Sequence, residues 1–195
     1  GYPPLRISSS TLKAGTVTLD GSVSSQYFSA LLMAMPMIGE LIIEVEGVQV
    51  SKSYIDMTID TMKKFGVNVV NEEYRKYFIP NKQSYKIHQY TVEGDFSSAG
   101  YFLAIAALTK STLTLKNLNP DSLQADRKIL NVFEEMGSKI TYGENEITIR
   151  GEGVKAVEVN MIDFPDQAQT IAVLAAFTDG TTKLFGIQSL RVKET

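Results

Sequence analysis

Hydrophobic and polar positions alternate along "GTVTLD". They give way to a small polar turn, "GSVSS", and then to an apolar run, "QYFSALLMAM". Alternation with a period of two predicts a strand, and the long apolar run predicts a buried helix. The same succession returns in "YTVEGDFSSAGYFLAIAAL" from Tyr90 and in "VEVNMIDFPDQAQTIAVLAAF" from Val157. Cap chemistry is expected at each helix start: Ser24 and Ser25, then Ser97 and Ser98, then Asp163 with Pro165 just inside.

A second helix follows in each copy. In "SYIDMTIDTMKKFGVNV", Ile55, Ile59, Met62 and Phe65 recur at helical spacing before an exit at Gly66. "DRKILNVFEEMGSKI" repeats the design with Ile129, Val132, Phe133 and Met136 before Gly137. Short strands are expected between the helices ("LIIEVEGV", "STLTLKNL", "TTKLFGI") and after them ("VNVV", "KYFIP", "SKITYG", "EITIRG"). The spacing from first helix start to second is nearly constant: Ser24 to Tyr54, Ser97 to Asp126, Asp166 to Glu194. The chain therefore reads as a repeated strand–helix–strand–helix–strand–strand unit in an α/β (α+β) fold, with the third copy breaking off as its second helix begins. A break near Gln89 to Glu93 separates the first copy from the second.

Composition narrows the chemistry. Hydrophobic residues make up 44% and charged residues 21% of 195 residues, the balance of an ordinary globular protein. The net charge of -3 gives no electrostatic footprint for nucleic acid or anionic lipid. The absence of cysteine excludes disulfides, thiolate catalysis and zinc–sulfur sites. No apolar run has membrane-spanning length and no secretory leader is visible, so a cytoplasmic setting is the default expectation. The chain starts with Gly in "GYPPLRI" and ends in the charged "LRVKET"; both ends read as cuts in a longer protein.

Helix N-termini present unpaired N–H groups and partial positive charge, so serines there either cap the helix or help to hold an anion. Both readings stay open for Ser24, Ser25 and Gln26, and capping is the simpler account of each alone. Ser51 in "VSKSY" is a candidate cap, and Tyr54 a candidate core contact with a polar end. Asp166 in a first helical turn either complements the dipole or serves as a general base. Lys193 and Glu194 are either a solvated charge pair or an anion-binding cation beside a general acid. His88, the only histidine, sits in a polar segment and reads as a surface residue. Metal clusters, nucleophile elbows and glycine-rich phosphate loops are absent from the sequence.

Taken in order and at these distances, "DGSVSSQYFSALLMA", "VSKSYIDMTIDTMKKFGV", "VEGDFSSAGYFLAIAAL", "DFPDQAQTIAVLAAF" and "LRVKET" strongly resemble the EPSP synthase family of enolpyruvyl transferases, over essentially the whole chain. The resemblance implies an inside-out α/β barrel built from such units in two closing domains, without metal or organic cofactor. It implies transfer of the enolpyruvyl group of phosphoenolpyruvate to the 5-hydroxyl of shikimate 3-phosphate, with release of phosphate, in aromatic amino-acid biosynthesis. Ser24, Ser25, Ser51 and Lys193 match residues that bind shikimate 3-phosphate, with Gln26 near both substrates and Tyr54 beside the serine of "SKxY". Asp166 matches the proton acceptor and Glu194 the proton donor.

The chain departs from the family pattern at Ser53, where proline is usual, and at Ser189, where asparagine commonly contacts shikimate 3-phosphate. Gln167 and Gln169 stand where small or apolar residues are frequent. Residues 1–92 map to the last unit of one domain, and 93–195 to the first unit and part of the second of the other. Basic residues of the phosphoenolpyruvate site are expected outside the chain. The isolated chain is therefore expected to be catalytically silent, and the whole protein a monomer. Two alternatives remain at this point: a non-catalytic binding module of the same fold, and an enolpyruvyl transferase with another acceptor.

Overall fold

The structure is a computed structural model and describes residues 3–6, 8, 13–80, 83–86 and 89–192. The chain divides into two compact units, Gly1–Gln89 and Tyr90–Thr195.

The first unit follows the expected order. Strand β1 (Gly15–Asp20) leads to helix α1 (Ser25–Ala34), a 3-10 turn (Met35–Met37), strand β2 (Leu41–Glu46), helix α2 (Lys52–Lys64), and strands β3 (Val70–Glu72) and β4 (Lys76–Ile79). They form one sheet in the order β1-β2-β4-β3. β1 and β2 are parallel, with Gly15 opposite Leu41, which is what a crossover through a helix permits. The remaining pairs are antiparallel, with Leu41 opposite Ile79. The helices cover the sheet through Phe28, Leu32, Ile55 and Met62, which pack on Ile43, Tyr77 and Ile79. Phe28 meets Tyr77 edge to face, with ring centroids 5.8 Å apart.

Two left-handed residues, Glu73 and Tyr74, close the β3–β4 hairpin. Asn71 Oδ1 accepts the Tyr74 N–H at 2.8 Å. The Tyr74 hydroxyl donates to both oxygens of Asp56 at 2.9 and 3.0 Å, and Lys52 Nζ lies 4.7 Å from the Tyr74 ring centroid. The hairpin thus holds the N-terminal half of α2.

The second unit contains α3 (Phe96–Thr109), β5 (Thr112–Lys116), a 3-10 turn (Ala125–Lys128) running into α4 (Ile129–Glu135), and β6 (Lys139–Tyr142) and β7 (Glu146–Arg150). A shorter series follows: β8 (Glu158–Asn160), a 3-10 turn (Pro165–Gln167) running into α5 (Ala168–Ala175), β9 (Lys183–Phe185) and a last 3-10 turn (Gln188–Val192). β5-β7-β6 is antiparallel throughout, and β8 pairs with β9 in parallel. Ile129, Val132, Phe133 and Met136 are all buried, as their spacing requires, and pack with Phe96, Leu103, Ile147, Ile149, Ile171 and Leu174. Both predicted helix exits have the backbone that glycine favours, with φ 86° at Gly66 and 112° at Gly137.

Three local expectations need correction. Residues 90–95 form no strand. Their backbone meets the chain beyond β5 through isolated bonds: the Gly94 N–H donates to the Asn117 carbonyl, the Asn117 side chain donates to the Val92 carbonyl at 3.0 Å, and Gln124 Nε2 donates to the Gly94 carbonyl at 2.9 Å. Alternation without a paired ladder does not make a strand. Ser97 and Ser98 do not cap α3; Asp95 does, accepting the N–H groups of Ser97 at 3.0 Å and Ser98 at 3.1 Å. Asp163 caps nothing. Phe164 occupies the cap position, with no side-chain bond, and Asp163 instead pairs with Lys128.

Candidate functional site

In the first unit the parallel pair sets the geometry. β1 and β2 run side by side, and each feeds a loop that enters a helix, so the starts of α1 and α2 lie at the same end of the sheet. Ligands of open α/β sheets gather outside the carboxyl ends of strands. The two loops are tied through Gly21. Its N–H donates to the Glu46 carbonyl at 2.8 Å, and its carbonyl accepts from Val50 N at 2.9 Å and from Gln49 Nε2 at 3.4 Å. A Cβ on Gly21 would stand 2.7 Å from Val45 Cγ1 and 3.0 Å from Gln49 Cα, so any larger residue would force the valine to turn and the Gln49 backbone to give way.

The helix starts carry the expected residues in different states. Ser24 is the cap of α1, and its hydroxyl accepts the Gln26 N–H at 3.2 Å. Ser25 is buried beneath it, while Gln26 is exposed. Ser51 begins α2 in the left-handed region, at φ 52° and ψ 43°, and makes no side-chain cap bond; its carbonyl accepts from Tyr54 N at 3.1 Å. Ser51 and Tyr54 are exposed. Neither α1 nor α2 has an acidic residue in its first turn, so their positive ends are not neutralised there. Asp20, before the first loop, accepts from Ser22 N at 2.8 Å and Ser22 Oγ at 2.6 Å, and these bonds hold its carboxyl below the usual 3.8.

The α3 start contrasts with these. Partial burial pushes the Asp95 carboxyl up, but bonds from Ser98 Oγ, Ser97 N and Ser98 N outweigh it and hold the group below 3.8. A carboxylate of the chain itself already occupies that helix end. Ser97 Oγ donates to the buried Asp126.

Asp166 lies half-buried in the middle of the 3-10 turn before α5, and Ser189 is exposed in the last 3-10 turn. Lys193, Glu194 and His88 lie outside the described residues. Reading the sequence missed Gly21 and Gln49, which join the two helix starts; the dipeptide Asp20-Gly21 signalled a turn but not the close approach. Among the described residues, no group of three His, Asp or Glu side chains has the arrangement to hold a metal ion. No helix of those residues is long and apolar enough to cross a membrane.

Layers of strand and helix repeated in this order, with serine-bearing helix starts grouped at one end of a sheet, define the repeated α/β architecture of enolpyruvyl transferases. The fold matches that of solved EPSP synthase from Acinetobacter baumannii, with a TM-score of 0.74 and 23% identity over 95% of this chain and 43% of that one. A family model described as EPSP synthase (3-phosphoshikimate 1-carboxyvinyltransferase) matches residues 1–195, and the chain belongs to that family. Curated relatives named 3-phosphoshikimate 1-carboxyvinyltransferase include that of Vibrio atlanticus (strain LGP32), 43% identical over 196 residues, and that of Sulfurovum sp. (strain NBC37-1), 45% identical over 197. In both cases the whole chain aligns with 46% of the relative, so the chain spans about half the length of the proteins it matches.

Proposed function

We propose that the protein to which this chain belongs transfers the enolpyruvyl group of phosphoenolpyruvate to the 5-hydroxyl of shikimate 3-phosphate, releasing phosphate, and that the first unit supplies the grip on the acceptor's phosphate. The observation that carries this reading is the pair of neighbouring helix starts in the first unit. Both lack acidic residues, and the Ser51 hydroxyl makes no cap bond. Ser24, Ser25 and Ser51 then offer hydroxyls, and the first N–H groups of α1 and α2 offer donors, to a dianionic phosphate. Gln26 and Tyr54 border it.

The reaction needs two proton transfers. The acceptor hydroxyl gives its proton to Asp166 as its oxygen bonds to the alkene carbon, while Glu194 protonates the methylene carbon. Loss of phosphate and of one methyl proton then restores the alkene, so the acceptor leaves carrying the enolpyruvyl group. One carboxyl ionised and one protonated divide this work. Lys193 contributes fixed positive charge and Ser189 a short hydrogen-bonding side chain toward the same acceptor. In this reading residues 1–92 end one domain and 93–195 begin the other, and the division between Gln89 and Tyr90 is in keeping with it. The protein acts as a monomer in the cytoplasm on two soluble, anionic substrates.

The test is phosphate release by the full-length protein with both substrates, against shikimate as an acceptor lacking the phosphate. Asp166→Ala and Glu194→Gln are each expected to lower kcat by at least about two orders of magnitude with the fold retained. Full turnover in either variant would overturn its assigned role. Equal activity on shikimate would overturn the phosphate grip.

A further inference from the structure

The segment that carries Asp166 is short. Pro165–Gln167 is a single 3-10 turn without a side-chain cap, a conformation with poor intrinsic hydrogen-bond geometry. Its fixed point lies elsewhere. Gln167 is 1% exposed, and its Nε2 donates to the Phe96 carbonyl at 3.1 Å, in the first turn of α3. Phe96 is itself held on both sides of its backbone, because its N–H donates to Gln124 Oε1 at 2.9 Å. Gln124 is anchored in turn, donating from Nε2 to Glu93 Oε1 at 3.0 Å and to the Gly94 carbonyl at 2.9 Å.

Space for the Gln167 amide comes from Gly100, one turn further along α3. A Cβ on Gly100 would stand 2.4 Å from Gln167 Oε1 and 3.2 Å from both Cδ and Nε2. That oxygen is buried and has no hydrogen-bond partner, so the amide is oriented by its donor and by the glycine gap. A glutamine buried at this cost, next to a proposed proton acceptor, calls for a function beyond packing.

We propose that Gln167 is a positioning residue: with the space left by Gly100, it ties the turn bearing Asp166 to the fixed Phe96 carbonyl and sets where the carboxylate stands. The inference rests on the reading of Asp166 as the proton acceptor. The two residues form a matched pair. Without the glutamine the turn loses its tether, and with a side chain at position 100 the glutamine is driven out.

The experiment uses the full-length protein with Gln167→Ala, Gly100→Ala and the double variant. Small misplacements of a reacting group cost up to about 100-fold in rate. Gln167→Ala is therefore expected to lower kcat by about 10-fold, with KM for shikimate 3-phosphate within about twofold. Gly100→Ala is expected to lower kcat by about as much or more. The double variant is expected to match Gln167→Ala alone, because alanine at position 100 then has room. Unchanged kcat in Gln167→Ala, or losses that multiply in the double variant, would overturn the pairing.

Hydrogen exchange on the same proteins reads the tether without activity. Faster exchange confined to 164–170 in Gln167→Ala supports it, and unchanged exchange there overturns it. If the unsubstituted full-length protein shows no enolpyruvyl transfer, the role of Asp166 falls, and the exchange result alone decides the tether.

Discussion

Replacing Gly21 with alanine tests whether one close backbone contact holds the two helix starts of the first unit together. The glycine has no left-handed backbone to lose, so the substitution adds a methyl group and nothing else. That methyl meets Val45 Cγ1 at 2.7 Å, Gln49 Cα at 3.0 Å and Gln49 N at 3.1 Å. The valine methyl can turn away. The Gln49 backbone cannot do so freely, since Val50 N and Gln49 Nε2 both donate to the Gly21 carbonyl and Gln49 Nε2 also donates to the Val50 carbonyl at 3.0 Å. Overpacking of this kind costs about 1–3 kcal/mol. The lower unfolded-chain entropy of alanine offsets about 0.4–1 kcal/mol of that. The net loss, between about 0 and 2.6 kcal/mol with its centre near about 1.3, is expected to lower the melting temperature by roughly 2–4 °C per kcal/mol, the scale of a domain of 150–250 residues. On the proposed reading, relief of the strain through residues 49–51 is expected to shift Ser51 and to lower affinity for shikimate 3-phosphate. Thermal unfolding and calorimetric titration of the full-length protein read the two effects. A melting temperature within about 1 °C of the parent, with unchanged affinity, would refute the role given to this contact.

Further substitutions separate stability from binding. Ser51→Gly removes a left-handed serine, so stability is expected to hold or rise by up to about 1 kcal/mol while phosphate-dependent binding weakens; parallel denaturation and titration check this. Ser24→Ala is expected to cost about 1 kcal/mol as a lost cap and to weaken shikimate 3-phosphate more than shikimate, by the same pair of measurements. Asp95 has a depressed pKa, so its contribution is complete above the ordinary 3.8 and is lost as pH falls through its lower folded value. Urea unfolding of the second unit is expected to show an acid-side slope that Asp95→Asn flattens. Tyr74→Phe removes the bonds to Asp56 and is expected to destabilise the first unit by about 1 kcal/mol, measured by denaturant midpoint.

The elements legible in the sequence were those whose pattern is local. Helical spacing placed Ile55, Met62, Ile129, Val132, Phe133 and Met136 in the cores, and glycine marked both helix exits. The features that escaped depend on distant partners. Residues 90–95 alternate like β1, yet β1 pairs with β2 while the later segment has only isolated bonds beyond β5. Gln167 reads as a departure from the family pattern, and its place is intelligible only beside Gly100 and Phe96, far away in the chain. The closeness of the Ser24 and Ser51 loops likewise follows from the parallel register, which no residue near either serine encodes.

The two serine pairs show why a motif needs its helix frame. "SSQ" and "SSA" look interchangeable, and both precede apolar helices. In α1 the first serine is the cap, and no acidic residue enters the first turn. In α3 the helix starts earlier relative to the pair, so Asp95 takes the cap and its carboxylate accepts both serine N–H groups. An N-terminus satisfied by its own anion repels a second one at the same donors. On the proposed reading, one backbone design is open to a phosphate at α1 and closed at α3 by the placement of a single aspartate. Asp95→Ser tests the argument: the variant is expected to bind sulfate or phosphate at the start of α3, seen as shifts of the Ser97 and Ser98 amide resonances on titration. If those amides stay silent while α3 remains folded, the carboxylate is not what closes that end.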